Sequence, residues 1–313
     1  MGILCVTANP AVDRVGVVPV LQPGTIHRPQ ALRVSAGGKG VNVARVVVQL
    51  GEEAVASVLL AGYSGRWMAQ AMRQDGIVCL ASWTNGETRS CLSILDETTG
   101  GLTEFYESGI DVSRSAWERF ETQTVEAIRA AGAVTLSGSL PNGAPEAAYA
   151  EFVAAAHEVQ VPCLVDTTGA PLDRALVNRP HLVKLNGAEA SSWAGWSVSS
   201  PDTAFSAAEK LVEAGARAAL VSLGRAGAVL VTGRGEGYLG HAPEVATRAS
   251  VGSGDAMLAG LALNAARGGS WAEGLRWGLA SGAANAEHLG AGQVDRERVE
   301  MLYREIELVR RQA

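Results

Sequence analysis

Little in this chain of 313 residues points to a nucleic acid, a membrane or a structural metal. Lys and Arg number 26 against 32 Asp and Glu, a formal net charge of -6. A polyanion binder needs the opposite surplus to displace counterions, so any phosphate handled here has to be met locally. Cysteine is scarce: Cys5, Cys79, Cys91 and Cys163 stand singly in apolar segments, with no C-x-x-C pair and no His cluster nearby. They read as buried thiols of a reducing compartment rather than as a disulfide frame or a zinc site. The histidines at 27, 157, 181, 241 and 288 also lack metal-ligand spacing. No uninterrupted apolar run reaches the ~18 residues of a membrane span, and the opening MGILCVTANPAVD has neither the basic start nor the apolar stretch of an export signal. A cytoplasmic protein without nucleic-acid or membrane partners is expected.

What the chain has is apolar residues (47%) and 37 glycines, at a length sufficient for one large α/β domain or two smaller ones. Short apolar runs, ILCVTA, AVASVLLAG, AVTLSG, PCLVD, LVKLN and AALVSLG, alternate with helix-like segments. Each run suits a strand buried on both faces, and the alternation predicts a mostly parallel sheet with helices on both sides. Residues 11–36 and 84–108 break the rhythm with hairpin-like patterns and turn pairs such as Pro23-Gly24 and Gly100-Gly101. They are expected to form a small antiparallel sheet projecting from a core made of residues 1–10, 37–83 and 109–313. VTGRGEGYLG, near 231–240, reads as a hairpin despite its glycines.

Two glycine-rich stretches are the places to look for phosphate. SAGGKGVNVARVVVQLG sets Gly37, Gly38 and Gly40 around Lys39 and runs into a helix carrying Asn42 in its first turn. It fits neither a Walker A loop, which needs Ser or Thr where Gly40 stands, nor the dinucleotide fingerprint, so a purely structural turn stays open. In VGSGDAMLAG, Gly252, Ser253 and Gly254 let backbone N–H groups converge at a helix start, and Asp255 follows in the first turn. Asp255 there is either a cap favoured by the helix dipole or a general base beside an anion hole.

Together the two stretches resemble the two signatures of the ribokinase-like carbohydrate kinases of the phosphofructokinase B type, about 215 residues apart as in that family. TANPAVD, GETRSCLSIL, SGSLPNG, VDTTG, VKLNGAE and VSLGRAGA add pieces typical of the phosphosugar branch, in family order, so the resemblance covers essentially the whole chain. It implies a ribokinase-like fold with a β lid over the sugar site, and Asp255 as catalytic base beside the anion hole of Gly252, Ser253 and Gly254. By resemblance Asp13, Gly38, Asn42 and Ser139 contact the sugar, while Lys39 and Arg89 grip the substrate's own phosphate. Lys184, Asn186, Ser222, Gly224, Gly227 and Asn285 face ATP, and Asn186 with Glu189 organises Mg²⁺ through water. Each has a plainer reading: a turn Asp for Asp13, a solvated strand residue for Arg89, a surface helix residue for Glu189, a strand-end turn for SLGRAG. Leu185 replaces the proline that the family commonly has between this Lys and Asn, which removes no catalytic group.

The resemblance implies an ATP-dependent phosphosugar kinase of the 1-phosphofructokinase and tagatose-6-phosphate kinase group, homodimeric through its lids. A 6-phosphofructokinase, a kinase of an unphosphorylated sugar or nucleoside, and a non-catalytic module on the same fold are the alternatives. The intact Asp255 and Asn-x-x-Glu argue against the last, and the paired cations Lys39 and Arg89 argue against a neutral sugar.

Overall fold

In the computed structural model, which describes residues 2–311, apolar runs separated by glycine turns become strands with helical crossovers. In chain order the elements are β1 Ile3–Thr7, β2 Ala11–Val18, β3 Ala31–Gly37, α1 Lys39–Gln49, β4 Ala54–Ala61, α2 Gly62–Gln74, β5 Val78–Thr84, β6 Ser90–Asp96 and β7 Leu102–Tyr106. The middle comprises α3 Arg114–Ile128, β8 Ala133–Ser137, α4 Ala148–Glu158, β9 Cys163–Asp166, α5 Ala170–Val177, β10 Leu182–Asn186, α6 Gly187–Ala194, α7 Pro201–Glu213 and β11 Ala218–Ser222. The last part adds β12 Ala228–Thr232, β13 Gly237–Gly240, α8 Ser253–Ala266, α9 Trp271–Ala286, α10 Arg296–Glu305 and β14 Leu308–Arg311.

Ten strands form one sheet in the order β14-β13-β12-β11-β10-β9-β8-β1-β4-β5. From β5 to β11 every pairing is parallel, and β12, β13 and β14 close that side antiparallel. Alternate residues of β1 point to opposite sides, so Ile3 and Cys5 join a core under α1, α2, α8, α9 and α10 while Leu4 and Val6 join another under α3 to α7. Burial on both faces is why these strands read as unbroken apolar runs. The expected hairpin near 231–240 is the β12–β13 turn.

The four remaining strands form a separate sheet, β3-β2-β6-β7. Its outer pairings are antiparallel, as the hairpin-like sequence implies, whereas the central pair, β2 with β6, is parallel. The two hairpins are contributed by distant segments, and their relative direction is a tertiary choice that local pattern does not encode. Among the described residues no helix is long and apolar enough to cross a membrane.

Candidate active site

Chemistry-bearing residues collect at the carboxyl ends of the parallel strands, where open α/β sheets place ligands. α8 begins there. Its apolar pattern has no polar stripe because every residue from Asp255 to Asn264 is buried, between the sheet, α1 and α9. Gly252, with φ 79°, holds the left-handed turn into it, and a Cβ there would sit 2.7 Å from the backbone of Ala291 and Gly292. The N–H of Ser253 folds back on the Ser250 carbonyl at 3.2 Å. Helix geometry leaves the N–H groups of Gly254 and Asp255 without an intrahelical acceptor, so they are the donors available to an anion.

Asp255 is buried at this helix start, and burial raises its carboxyl to about 7, with the charge of Asp166 adding to the rise. Lys39, Lys184 and a hydrogen bond from Asn42 act in the opposite direction. That bond runs from Asn42 Nδ2 to Asp255 Oδ2 at 2.9 Å. A carboxyl poised near neutrality beside unpaired N–H groups is suited to take a proton from a hydroxyl as an anion is stabilised next to it.

Asp166, at the end of β9, ties two lysines together. Lys39 Nζ donates to its Oδ1 and Lys184 Nζ to its Oδ2, each at 2.6 Å. Burial works to raise the Asp166 carboxyl, but Lys184 and Lys39 outweigh it and hold the group at about 2. Lys39 also donates to Glu189 Oε1 at 2.9 Å; burial disfavours its charge, yet Asp166, Glu189 and Asp255 together raise its affinity for the proton. Lys184 lies against the anion turn: a Cβ on Gly254 would come 2.7 Å from its Nζ. Within VDTTG nothing local marks Asp166 as a site residue. The available signal was a carboxylate closing the apolar run PCLV, which only a cationic partner makes tolerable in a core.

Asp13 on β2, expected to meet the sugar, lies against Gly37, where an added Cβ would overlap its carboxyl. Desolvation lifts Asp13 to about 6, against the pull of the Gly38 backbone, Arg45, Arg89 and Asn42. Gly38 caps α1 and fixes the start of the helix that carries Lys39 and Asn42. Arg89 uses its two terminal nitrogens on the carbonyls of Glu107 (3.3 Å) and Asn9 (3.1 Å), while its Nε is buried with no partner. Asn9 in turn donates to Ser139 Oγ at 3.1 Å. Arg89 and Lys39 are linked through Asn9 and the Gly138–Ser139 turn, but their cationic groups meet different partners, the Glu107 and Asn9 carbonyls for Arg89 and the Asp166 and Glu189 carboxylates for Lys39. Asn9, within TANPAVD, went unchosen because a buried Asn after a strand is ordinarily a turn former.

Asn186 and Glu189, expected near the nucleotide, form a capping box on α6: Asn186 Oδ1 accepts from the Glu189 N–H at 2.8 Å, and Glu189 Oε2 from the Asn186 N–H at 2.9 Å. Glu189 is thus a capping residue rather than a solvated surface position, and its Oε1 reaches the centre through Lys39. Ser222 sits beside Asn186 in the β10–β11 register, and Gly224 and Gly227 bracket the one-turn helix that follows. Asn285 departs from the expected approach to adenine. It is fully buried, donates to the Val251 carbonyl (2.8 Å) and Ser253 Oγ (3.3 Å) and accepts from the Gln293 N–H (2.9 Å), so its amide braces the turn before α8.

The sequence profile of the pfkB family carbohydrate kinases matches residues 2–297. The chain belongs to that family. A 1-phosphofructokinase from Xanthomonas campestris is 35% identical over 264 residues, covering 83% of this chain and 82% of its own. A tagatose-6-phosphate kinase from Staphylococcus epidermidis is 29% identical, covering 98% of this chain and 99% of the relative. Among solved structures, phosphofructokinase-2 from Escherichia coli in complex with substrates and products superposes with a TM-score of 0.89 at 28% identity, over 97% of this chain and 99% of that one. The pfkB member described here is a carbohydrate kinase with the ribokinase-like α/β fold.

Proposed function

We propose that this kinase transfers the γ-phosphate of ATP to a hydroxyl of a ketohexose phosphate, with fructose 1-phosphate, giving fructose 1,6-bisphosphate, ahead of tagatose 6-phosphate. The observation that carries the reading is Asp255: a buried carboxyl raised to about 7, at the open N-terminus of α8, flanked by two lysines. The names of the relatives support a phosphosugar acceptor, and the name of the structural neighbour keeps fructose 6-phosphate as a second reading.

Asp255 accepts the proton of the attacking hydroxyl, and the N–H groups of Gly254 and Asp255 stabilise charge on the phosphoryl group in flight. Lys184 and Lys39, pinned by Asp166, add fixed positive charge to the same point. Asp13, Asn42 and Ser139 orient the sugar. Arg89 is the cation for the substrate's own phosphate, met through the terminal nitrogens that otherwise donate to the Glu107 and Asn9 carbonyls. Ser222, Gly224 and Gly227 line the nucleotide side, and Asn285 supports the anion turn. Asn186 and Glu189 carry hard oxygens beside the Lys39–Asp166 pair, and Mg²⁺ keeps much of its hydration shell and needs few protein ligands, so these two residues fit an ion held through water. Asn186 and Glu189 would hold the ion through water, and the ion would neutralise charge on the ATP phosphates.

The separate sheet acts as a lid. Its cross-strand row Ser35–Asp13–Cys91–Tyr106 faces the sugar, and the neighbouring row Val34–Arg14–Leu92–Phe105 takes the other face. That outer face leaves Phe105 59% and Leu32 55% exposed, the apolar surface through which two lids are expected to pair in a homodimer. Four free cysteines suit a reducing cytoplasm. ADP release measured with fructose 1-phosphate, fructose 6-phosphate, tagatose 6-phosphate and fructose tests the substrate. A kcat/KM for fructose equal to those of its phosphates would reject the phosphosugar reading.

A further inference from the structure

Arg45, one turn along α1 from Asn42, is a buried cation that the chemistry above does not use. Its side chain is 3% exposed, and its donors reach four separate parts of the chain. Nε donates to Asp75 Oδ2 at the end of α2 (2.8 Å), and Nη2 to the Ala36 carbonyl where β3 leaves the lid. Nη1 donates to Asn42 Oδ1 at 3.0 Å and to the Ala291 carbonyl, beside the anion turn, at 3.4 Å. A guanidinium that is buried and bound at both ends has no free face for a ligand, so any effect on catalysis passes through what it holds.

What it holds is the polarity of an amide. A guanidinium has five N–H donors and no acceptor, so the Asn42 atom facing Arg45 must be the oxygen. The amide is planar, and its NH₂ is therefore turned toward Asp255 Oδ2, at 2.9 Å. With the amide reversed, its oxygen would face a carboxylate and oppose the ionised form that a base requires. We propose that Arg45 is a positioning residue for phosphoryl transfer: by donating to Asn42 Oδ1 it fixes which end of that amide meets Asp255, and so holds the base ionised and aimed. The inference rests on Asp255 being the base.

The test is steady-state kinetics of the full chain carrying R45K, N42A or both, with D255N in parallel and ATP binding followed by calorimetry. A lysine keeps the charge but cannot serve four divergent acceptors. R45K is expected to lower kcat by about tenfold to a hundredfold, the effect of a slightly misplaced reacting group, with KM for ATP changed by less than about twofold. The double variant should be no slower than N42A, because both changes remove the same contact. If R45K does not fold, Asp75→Asn loosens the outer end of the same guanidinium; it should lower kcat by roughly twofold to fivefold and have no further effect in the N42A background. A kcat for R45K within about twofold of wild type alongside an inactive D255N, or losses in R45K and N42A that multiply, overturns the inference and leaves the base assignment standing. Near-normal turnover by D255N removes the base, and the inference with it.

Discussion

α8 and the small β3-β2-β6-β7 sheet are both rich in apolar residues, and the chain treats them in opposite ways. α8 is apolar all round and wholly covered by its own chain, so its first turn can present Asp255 from a rigid, desolvated position. The small sheet is exposed along β3 and β7, with Leu32, Val34 and Phe105 open to solvent on one face, and it carries Asp13 on the other. Apolar composition therefore reports that a surface will be covered, without reporting by what. A core helix can hold a reacting group to a fraction of an ångström; a projecting sheet is suited to opening and closing over a substrate. In kinetic terms, changes at the α8 turn should act on kcat, and changes at the small sheet on KM.

The sharpest way to break that division is Asp255→Asn, which keeps the shape of the helix start. It should lower kcat by about 10²–10⁴ with little change in ATP binding, and a loss under about tenfold would put the base elsewhere. Because the carboxyl is raised to about 7 and must be ionised to act, wild-type kcat/KM should fall as pH drops below that value. The acid limb should steepen to tenfold per pH unit. Arg89→Ala, at the root of the small sheet, tests the other side. It is expected to raise KM for the phosphosugar by roughly tenfold, the equivalent of one charge-assisted hydrogen bond, while KM for ATP stays put. An ATP defect instead would move Arg89 to the nucleotide.

Smaller effects sharpen the comparison further. Asp introduced at Leu32 and Phe105 together should convert a dimer into monomers in light scattering and raise KM by several-fold, leaving kcat closer to wild type. A wild-type monomer at micromolar concentration with full activity would refute pairing through the lid. The smallest effect is at the opposite end of the main sheet. His181 Nδ1 accepts the Cys163 N–H at 3.1 Å, and Arg217 lies 3.3 Å from its other ring nitrogen. Burial, then Arg217 and His157, lower it from 6.5 to about 4. The unfolded chain therefore binds this proton more readily, so stability is full above pH 6.5 and falls as pH drops toward 4. Denaturant midpoints across that window should slope in wild type and flatten in His181→Asn. Equal slopes would remove His181 as the cause.

How much could be read in advance differs between the same two regions. The main sheet was legible because strands buried on both faces leave unbroken apolar runs between glycine turns, and the α8 turn announced itself as G-S-G-D before an apolar helix. The small sheet's hairpins were visible, but not the parallel β2–β6 pairing that joins them. Asn-x-x-Glu was visible as an ion-organising pair or as a surface helix position, and the capping box that Asn186 and Glu189 form came only with the structure. Asp166 showed in the sequence only as a carboxylate closing an apolar run, and Arg45 not at all, since the partners that define each lie far along the chain. Lys39 and Asp166 stand 127 positions apart, and Arg45 and Ala291 stand 246 apart.

The sequence by itself determined the alternation of strand and helix, the glycine turns that leave N–H groups open at α8, and which residue types are present for phosphoryl transfer. These follow from short-range sterics and from the periodicity of burial, which a linear chain carries in full. Only the tertiary structure decided that Lys39 turns toward Asp166 and Glu189, that Asn285 braces a turn, and that Arg45 donates to the Asn42 amide facing Asp255. Hydrogen bonds and ion pairs depend on angle and on distances of about 3 Å, and those are set by how remote segments pack.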